Sequence, residues 1–366
     1  MANRLDWIEI GARLRQARLA VGMSQEELGS AIGLERTMIV KAESGSRRLD
    51  ALELARLAAT LRLPIAHFLT PTPLVLSRRA SLLEDIDSDV DRNAHNLEAE
   101  LASWLRDLRQ LIDLGLLKQA KPMRYPHPIT ANDEAREAAI WVRTGLGAGL
   151  EPLGPLIQLC ERAGQLLLVT DVPGEGASVL DEDLAAAIVS LQSEPGRRRS
   201  TAAHELGHLV IGDEYSTDLG IHSSRDGRER VVDAFAAELL VPTETVREAV
   251  SRSENFDDVR TSLVQVAATY RASWSLVLRQ AVHAEVVDDE RQRLASRAPT
   301  RAELMDAVGW TPAPDLHDVR VPQSVASAVM AGVRRGLITP QRATEISRGQ
   351  INAADLGGLT SEDQTP

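Results

Sequence analysis

The chain has 366 residues and a mass of 39.8 kDa, which is enough to bury two or three separate hydrophobic cores. Acidic residues outnumber basic ones by 53 to 41, so a protein that binds nucleic acid through a uniformly basic surface is excluded. The single cysteine excludes a disulfide framework and is typical of a reducing compartment. We find no signal-peptide pattern and no apolar run approaching about 18 residues, and therefore expect a cytoplasmic protein without a membrane span.

The first 70 residues have the pattern of a small, all-α domain. Apolar residues recur at helical spacing over Trp7–Val21, and Ser24–Glu27 is a capping box that opens a second helix. Gly33 predicts a tight turn, after which Glu35–Glu43 forms a third helix. Asp50 caps a fourth helix, and a short fifth helix follows. Two helices joined by a tight turn of this kind are typical of a helix-turn-helix.

This pattern resembles the XRE family of helix-turn-helix domains, which is similar to the lambda and 434 repressors. The resemblance implies that the domain binds an operator in double-stranded DNA, with Gln25 contacting a phosphate. Three residues stand where that family reads base edges in the major groove: Arg36, Thr37 and Lys41. It also implies a structural ion pair between Arg18 and Glu43. Since this domain has 10 basic and 8 acidic residues, the basic groups have to act locally.

Residues 71–132 combine linker patterns with one amphipathic helix. Pro71–Arg79 is typical of an exposed junction, and Lys121–Pro128, with three prolines, is a second linker candidate. Between them, apolar residues form a heptad-like stripe: Val90, Leu97, Leu101, Trp104, Leu108 and Leu111. The stripe could pair two chains in a homodimer or pack against the C-terminal half of the same chain, and both alternatives stay open.

Residues 204–208 read His-Glu-Leu-Gly-His within a predicted helix. Because residues four apart lie on one face of a helix, His204 and His208 point at the same place. They make two thirds of a catalytic zinc site, in which Glu205 deprotonates the zinc-bound water. The alternative is an ordinary helix that carries two surface histidines.

A third ligand is expected on the next predicted helix, which Pro242 ends. Glu229 and Asp233 are again four apart and share a face. Glu229 could complete a His, His, Glu set, while Asp233 could accept the second N–H of a zinc-bound histidine and fix its tautomer. Glu238 is the rival ligand, although the apolar residues directly after it favour a structural role. Glu229 and Asp233 could also be ordinary acids of a helix surface.

The H-E-L-G-H motif and the later E-x-x-x-D-x-F-A-A-E-L-L-x-P motif together resemble the ImmA/IrrE metallopeptidases, which are compact zincins that cleave transcriptional repressors. The resemblance covers roughly Asp133–Pro242 and implies Zn²⁺ as cofactor and a repressor as protein substrate. It implies three zinc ligands and a catalytic base: His204, His208, Glu229 and Glu205. The family more often has other residues at three positions, none of them a ligand: Ser200, Asp233 and Val241.

Two residues between the motifs could stabilise the oxyanion of the reaction, namely Tyr215 and His222. Either could equally be a surface group of a loop.

The remaining pattern predicts a small α+β domain over residues 133–250. Its predicted elements are the helices Asp133–Arg143 and Leu153–Ala163, with Cys160 in the core, and the strands Gln165–Thr170 and Ala186–Leu191. Further helices are expected over 251–350, and a disordered tail over 351–366. The fold class is therefore multidomain and mainly α, with one small sheet behind the zinc helix.

Two classes of function fit these patterns. In the first, the chain is a DNA-binding regulator whose zinc endopeptidase domain cleaves an XRE-type repressor or the chain itself. In the second, it is a repressor or antitoxin-like regulator whose zincin domain senses metal or a ligand without cutting. An intact Glu205 favours the first, because a sensor has no need of a base. A general degradative peptidase is disfavoured by the DNA-reading domain.

Overall fold

The fold is given by a computed structural model that describes residues 6–61, 63, 65–69, 75–78, 89–212, 222–287, 293–294, 296–309 and 315–356. Its helices are α1 Trp7–Ala20, α2 Gln25–Ile32, α3 Arg36–Glu43, α4 Ala51–Leu61, α5 Ala66–Leu69, α6 Asp89–Asp113, α7 Asn132–Gly145, α8 Leu156–Arg162, α9 Pro195–Ile211, α10 His222–Leu240, α11 Thr243–Val250, α12 Phe256–Thr269, α13 Trp274–His283, α14 Arg301–Ala307, α15 Gln323–Arg334, α16 Pro340–Ile346 and α17 Ala353–Leu356. Its strands are β1 Val75–Arg78, β2 Gln165–Thr170, β3 Gly176–Asp181 and β4 Leu184–Ser190. The mainly helical fold predicted from the sequence is confirmed.

Helices α1 to α5 form the N-terminal domain around one apolar core. The capping box at Ser24 is present, since its side chain accepts from Glu27 N and the Glu27 carboxylate accepts from Ser24 N. Gly33 ends α2 in the left-handed region, with a φ of 76°. Helix α3 then begins at Arg36 and buries Ile39 and Ala42 against α1 and α2. This is the helix-turn-helix arrangement expected from the sequence.

Behind the zinc-motif helix lies a four-stranded sheet in the order β1-β3-β4-β2. Strand β2 runs parallel to β4, whereas β3 is antiparallel to both β4 and β1. The central strand β4 is buried along its whole length, in keeping with its nearly continuous apolar sequence. The sequence predicted β2 and β4 but neither β1 nor β3.

The two faces of the sheet belong to two different hydrophobic cores. Because successive side chains of a strand point to opposite faces, Leu167 and Val169 pack towards α7, α9 and α10, whereas Leu166 and Leu168 pack towards α6 and α15. The sheet is thus the middle layer between two sets of helices, and α9 lies on one of its faces.

Helix α6 carries the heptad-like stripe, and the structure answers the alternatives left open for it. Leu97, Leu101, Trp104, Leu108 and Leu111 are buried against the sheet and α15, and Trp104 Nε1 donates to Leu166 O at 3.0 Å. The stripe is therefore used within the chain. The side chain of Val90 lies outside the described residues.

Two segments expected as free linkers are partly integrated into the fold. Residues 75–78 of the predicted junction form strand β1, and the rest of that junction lies outside the described residues. In the second segment, Met123 N donates to Ala163 O and Tyr125 N donates to Val210 O, both at 2.8 Å. Both side chains pack against the core beneath α9. Prolines prevented helix formation there, but apolar Met123 and Tyr125 still bind the segment to the domain.

Among the described helices, none is long and apolar enough to cross a membrane. The expected tail is described only to Leu356, where the short helix α17 ends, and the remainder lies outside the described residues.

Candidate metal centre

Helix α9, which carries the His-Glu-Leu-Gly-His motif, has defined ends and is anchored by contacts near its start. Pro195 stands at its first turn, where a missing N–H costs nothing, and Gly212 ends it with a φ of 71°. Near its start, Arg199 pairs with the buried carboxylate of Asp315, and Arg198 Nη1 donates to Leu316 O at 2.7 Å. Burial lowers the pKa of Arg199 to about 10, an effect that the adjacent Asp315 carboxylate opposes.

Helix α10 packs against α9 and brings two carboxylates to the histidines. His204 Nε2 lies 3.1 Å from His208 Nε2 and 3.1 Å from an oxygen of Glu229. The ligand atoms of His204, His208 and Glu229 all lie within 4.8 Å of one another. Three residues from two helices thus converge on one point.

This geometry fits a zinc ion. With Zn–N and Zn–O bonds of about 2.0–2.1 Å, neighbouring ligand atoms of a tetrahedral site are about 3.3 Å apart. Two of the three separations are 3.1 Å, close to that value, and all three ligand atoms lie within 4.8 Å of one another. Two imidazoles and one carboxylate are also the donor set of a zinc site that keeps a fourth position for water or substrate.

Asp233, one turn after Glu229, contacts the other ring nitrogen of His204. Its Oδ1 lies 2.9 Å from Nδ1 of the imidazole. Because a carboxylate can only accept, this contact requires a proton on Nδ1, which would leave the lone pair of Nε2 for a metal ion held between Glu229 and His208. The position of Asp233 thus favours the tautomer that a metal ligand would need.

The carboxylate of Glu205 lies on the side of α9 that faces the sheet. It is 0% exposed, and its Oε2 accepts a hydrogen bond of 2.7 Å from the hydroxyl of Ser178 on β3. Ser178 is itself 1% exposed. The close approach of β3 depends on Gly176, where a Cβ would lie 2.5 Å from Thr201 Cγ2 and 3.3 Å from Glu205 Oε1. Reasoning from the sequence missed Ser178, and a serine within a buried apolar strand was the available signal.

Glu238, the rival ligand, lies in a different network. Its carboxylate accepts from Thr243 N at 2.9 Å and pairs with Arg136 Nη1 at 3.0 Å, and Gln280 Nε2 donates to it at 2.9 Å. These contacts join α10 to α7, α11 and α13. The structure therefore places Glu238 in a structural role, apart from the converging histidines.

The proposed oxyanion donors cannot be placed. Tyr215 lies outside the described residues, and so does the side chain of His222, although its backbone begins α10.

The predicted DNA-contacting residues lie on the outer face of the N-terminal domain. Arg36, Thr37 and Lys41 are exposed on α3. Gln25 begins α2 and donates to Glu43 Oε2 at 2.8 Å, so its side chain is engaged within the domain here. Arg18 and Glu43 form a buried ion pair, with Nε 2.6 Å from Oε1, which joins α1 to α3.

Comparison with known families finds two matches that fall on these two regions. Residues 14–68 match the family described as Helix-turn-helix, and residues 160–281 match the IrrE N-terminal-like domain. The chain joins a helix-turn-helix domain to an IrrE N-terminal-like domain. Both resemblances inferred from the sequence motifs are thereby confirmed, and the IrrE N-terminal-like domain contains His204, His208 and Glu229.

Curated relatives match only a short part of the chain. An uncharacterized HTH-type transcriptional regulator of Sinorhizobium medicae is 37% identical over 71 residues, which is 19% of this chain and 50% of the relative. A similar regulator of Sinorhizobium fredii is 38% identical over 72 residues, which is 20% of this chain and 50% of the relative. The chain thus spans about half the length of the curated relatives that it matches.

Among solved structures, Bacillus thuringiensis PlcR in complex with the peptide PapR7 and DNA aligns over 96% of this chain and 91% of that chain. The identity is 11% and the TM-score is 0.19, so no common architecture follows from it.

Proposed function

We propose that this chain is a DNA-binding transcriptional regulator that carries a zinc-dependent endopeptidase of restricted specificity. The observation that supports this most is the convergence of His204, His208 and Glu229 beside the buried carboxylate of Glu205. A site that only bound metal would require the three ligands, but it would have no need of a carboxylate held next to them.

Each residue of the centre has a distinct part in this proposal. Zinc bound there would lower the pKa of a coordinated water to about 7 and polarise the scissile carbonyl. Glu205 accepts the proton of that water and then delivers it to the leaving amine. Ser178, at 2.7 Å, holds the Glu205 carboxylate in one orientation, while Asp233 holds His204 in its ligating tautomer.

The N-terminal domain supplies the second activity, binding to an operator in double-stranded DNA. Arg36, Thr37 and Lys41 are exposed on α3, the helix that enters the major groove in domains of this type. The buried Arg18–Glu43 pair keeps α3 at a fixed angle to α1. We place the protein in the cytoplasm, where an operator is accessible to it.

The substrate class follows from joining the two activities in one chain. Two proteins bound at one operator meet at high effective concentration, so DNA binding can restrict a peptidase to a DNA-bound partner. The proposed substrate is an XRE-type repressor, either a separate protein or this chain itself. Within this chain, the segments 71–79 and 120–128 are the proposed cleavage sites, because a peptide has to be extended to enter a zincin.

A second candidate function is sensing of metal or a ligand without proteolysis. It is favoured by the burial of the centre, where His204 is 1% exposed and both Glu205 and His208 are 0% exposed. A peptidase must admit a peptide to these groups, whereas a sensor need only admit its ligand.

The deciding experiment compares wild-type protein with Glu205→Gln, each incubated with zinc, operator DNA and a candidate repressor. Mass spectrometry of the fragments should reveal cleavage by the wild type and none by Glu205→Gln, because an amide cannot accept the proton. Both proteins should hold equal amounts of zinc. Glu244→Gln, at an exposed position of α11, is the matched control and should cleave normally. Absence of cleavage by the wild type under all conditions would favour the sensor.

A further inference from the structure

Strand β1 is separated in the chain from the rest of its sheet. It comes from the junction after the helix-turn-helix domain, whereas the other three strands lie within 165–190. It forms the outermost strand, antiparallel to β3, with Val75 opposite Val179, Ser77 opposite Ser178 and Arg78 opposite Ala177. It also contacts α9, the helix of the two histidines.

The pairing of Ser77 with Ser178 places this strand beside the catalytic centre. Ser178 is the residue whose hydroxyl donates to Glu205 at 2.7 Å. Directly opposed residues of an antiparallel pair have their Cα atoms about 4.5–5.5 Å apart. The backbone of β1 at Ser77 is thus separated from the proposed base of the peptidase by a single residue of β3.

An exposed strand edge binds extended peptides through backbone hydrogen bonds, which make few demands on sequence. A zinc peptidase needs such an edge, because a helical segment cannot present its carbonyl. We infer that the edge of β3 is the peptide-binding edge of the metal centre, and that residues 75–78 are its resident occupant. This inference rests on the proposed peptidase function and specifies which surface takes the substrate.

The other edge of the sheet is unsuitable for this role. There, Val169 and Arg320 exchange backbone hydrogen bonds of 2.9 and 3.0 Å, which covers β2. Strand β2 also lies on the far side of β4 from Ser178. Within the described part of the chain, the edge next to Glu205 is therefore the one that β1 occupies.

Two features of β1 suit an occupant that can be displaced. It is only four residues long, and its register shifts between Val75 and Ser77. Such an irregularity breaks the hydrogen-bond ladder and weakens the pairing. Burial of His204, Glu205 and His208 accords with an occupied edge. An extended peptide from another protein would have to compete with β1, and its apparent affinity would fall with the fraction of chains in which the edge is open.

The test uses the full-length chain in the Glu205→Gln background, so that binding is measured without turnover. The probe is a fluorescent peptide with the sequence of residues 71–79, PTPLVLSRR. Ser77→Pro removes a backbone N–H from β1 and should open the edge. We expect the peptide to bind at least about tenfold more tightly to Ser77→Pro than to the parent, as measured by fluorescence anisotropy.

A second variant should shift the equilibrium between the open edge of β3 and the edge occupied by β1 towards the occupied state. Val75→Cys with Val179→Cys places two thiols on opposed residues, whose usual Cα separation of about 4.5–5.5 Å is one that a disulfide spans. Oxidation should lock β1 in place and reduce peptide binding at least about tenfold, and reduction should restore it. Val75→Cys alone is the matched control, and it should respond to neither treatment.

The outcomes separate this inference from the proposed peptidase. Failure of the disulfide to form in folded protein, or unchanged peptide binding in both variants, would overturn the inference. If Ser77→Pro does not fold, the disulfide pair decides alone. Binding that follows the expected pattern, while the Glu205 forms of the same variants cleave nothing, would support the peptide-binding edge and reject proteolysis.

Discussion

The hydrogen bond between Asp233 and His204 bears on which ring nitrogen of His204 is available to bind a metal. A neutral imidazole has one donor and one acceptor nitrogen, and its ligating ability depends on which is which. Asp233 lies 2.9 Å from Nδ1, which favours the tautomer whose Nε2 lone pair could bind a metal at the convergence point. Asn, which the family more often has here, would offer a neutral acceptor in place of a charged one.

We expect Asp233→Ala to weaken zinc binding by roughly 10–100-fold, the usual effect of removing such a partner. Asp233→Asn should retain most of the affinity, because the amide oxygen still accepts from Nδ1. Competition against a chromophoric chelator measures both. Equal affinity in wild type and Asp233→Ala would contradict the role given to Asp233.

Glu229 and Glu238 make a matched pair of substitutions on α10. Glu229→Ala should abolish most zinc retention during dialysis, as measured by metal analysis. Glu238→Ala should retain zinc but lower the free energy of unfolding by about 3 kcal/mol, because it leaves Arg136 without its buried partner. Urea denaturation of both variants in the presence of chelator gives the second comparison. Equal zinc retention would refute the ligand assignment.

The reactivity of Cys160 reports whether reagents can reach the interior of the IrrE N-terminal-like domain. Burial raises the pKa of its thiol to about 12, so almost no thiolate is present at pH 8. We expect iodoacetamide to leave the native protein unmodified at pH 8 and to label it fully in urea. Rapid labelling of native protein, seen as a mass increase, would mean that the helix α8 opens readily.

At the residue scale, the shared helix faces of the two residue pairs were predictable, whereas the contact between Ser178 and Glu205 was not. A spacing of four fixes the face of a helix, so His204 shares a face with His208, and Glu229 with Asp233. The packing of α10 against α9, which brings Glu229 to the histidines, is not contained in that spacing. Ser178 contacts Glu205 across 27 positions, and only the register of β3 brings them together. That register depends on residues distant in the sequence, so no local sequence pattern predicts it.

At the scale of elements, Gly207 governs how closely α9 and α10 approach. A Cβ there would lie 2.9 Å from both Phe235 Cδ1 and Val232 Cγ1. These two residues follow Glu229 on α10, so any separation of the helices moves Glu229 away from the histidines. The glycine of H-E-L-G-H thus has a packing function in this chain.

Gly207→Ala should therefore lower the free energy of unfolding by about 1–3 kcal/mol, the usual cost of overpacking, and weaken zinc binding as well. Gly227→Ala is the matched control, because nothing lies within 4 Å of its Cβ position. It should stabilise α10 by up to about 1 kcal/mol, since alanine favours a helix more than glycine does. Thermal unfolding and zinc titration of both variants would test this, and improved zinc binding in Gly207→Ala would count against it.

The helices were easier to predict than the strands. The segments of α9 and α10 were recognised as helices, although α10 begins at His222, which the sequence pattern had placed in a loop. Strand β3 was missed because its sequence mixes Gly176 and Ser178 with apolar residues, and the reasons for both lie in the contact with α9. Strand β1 was missed because a four-residue segment near two prolines is typical of a junction.

At the scale of the whole molecule, the two proposed activities belong to different hydrophobic cores. Among the described residues, the core of the helix-turn-helix domain and the core around α9 are formed by different sets of buried side chains. Substitutions on the DNA-binding surface and at the metal centre should therefore act independently. The free-energy effects of substitutions at distant sites with no shared partners are usually additive.

Arg36→Ala and Lys41→Ala should each weaken specific operator binding by about 1–3 kcal/mol if the side chain contacts a base. Zinc content and peptide cleavage should stay at wild-type values. Glu205→Gln should show the converse, with normal DNA binding and no cleavage. Gel-shift and cleavage assays on the three variants decide this, and a loss of both activities in any one of them would mean that the domains are coupled.

Helix α6 has a further consequence for how the molecule would act on DNA. It is 25 residues long, or roughly 37 Å, and its Ala99 packs in the helix-turn-helix core while Leu101 to Leu111 lie under the sheet. The single helix α6 is thus packed into both domains. A molecule bound to an operator would therefore hold its candidate metal centre at a fixed distance and direction from the DNA axis. The orientation of the operator would then determine which neighbouring protein along the DNA the candidate metal centre faces.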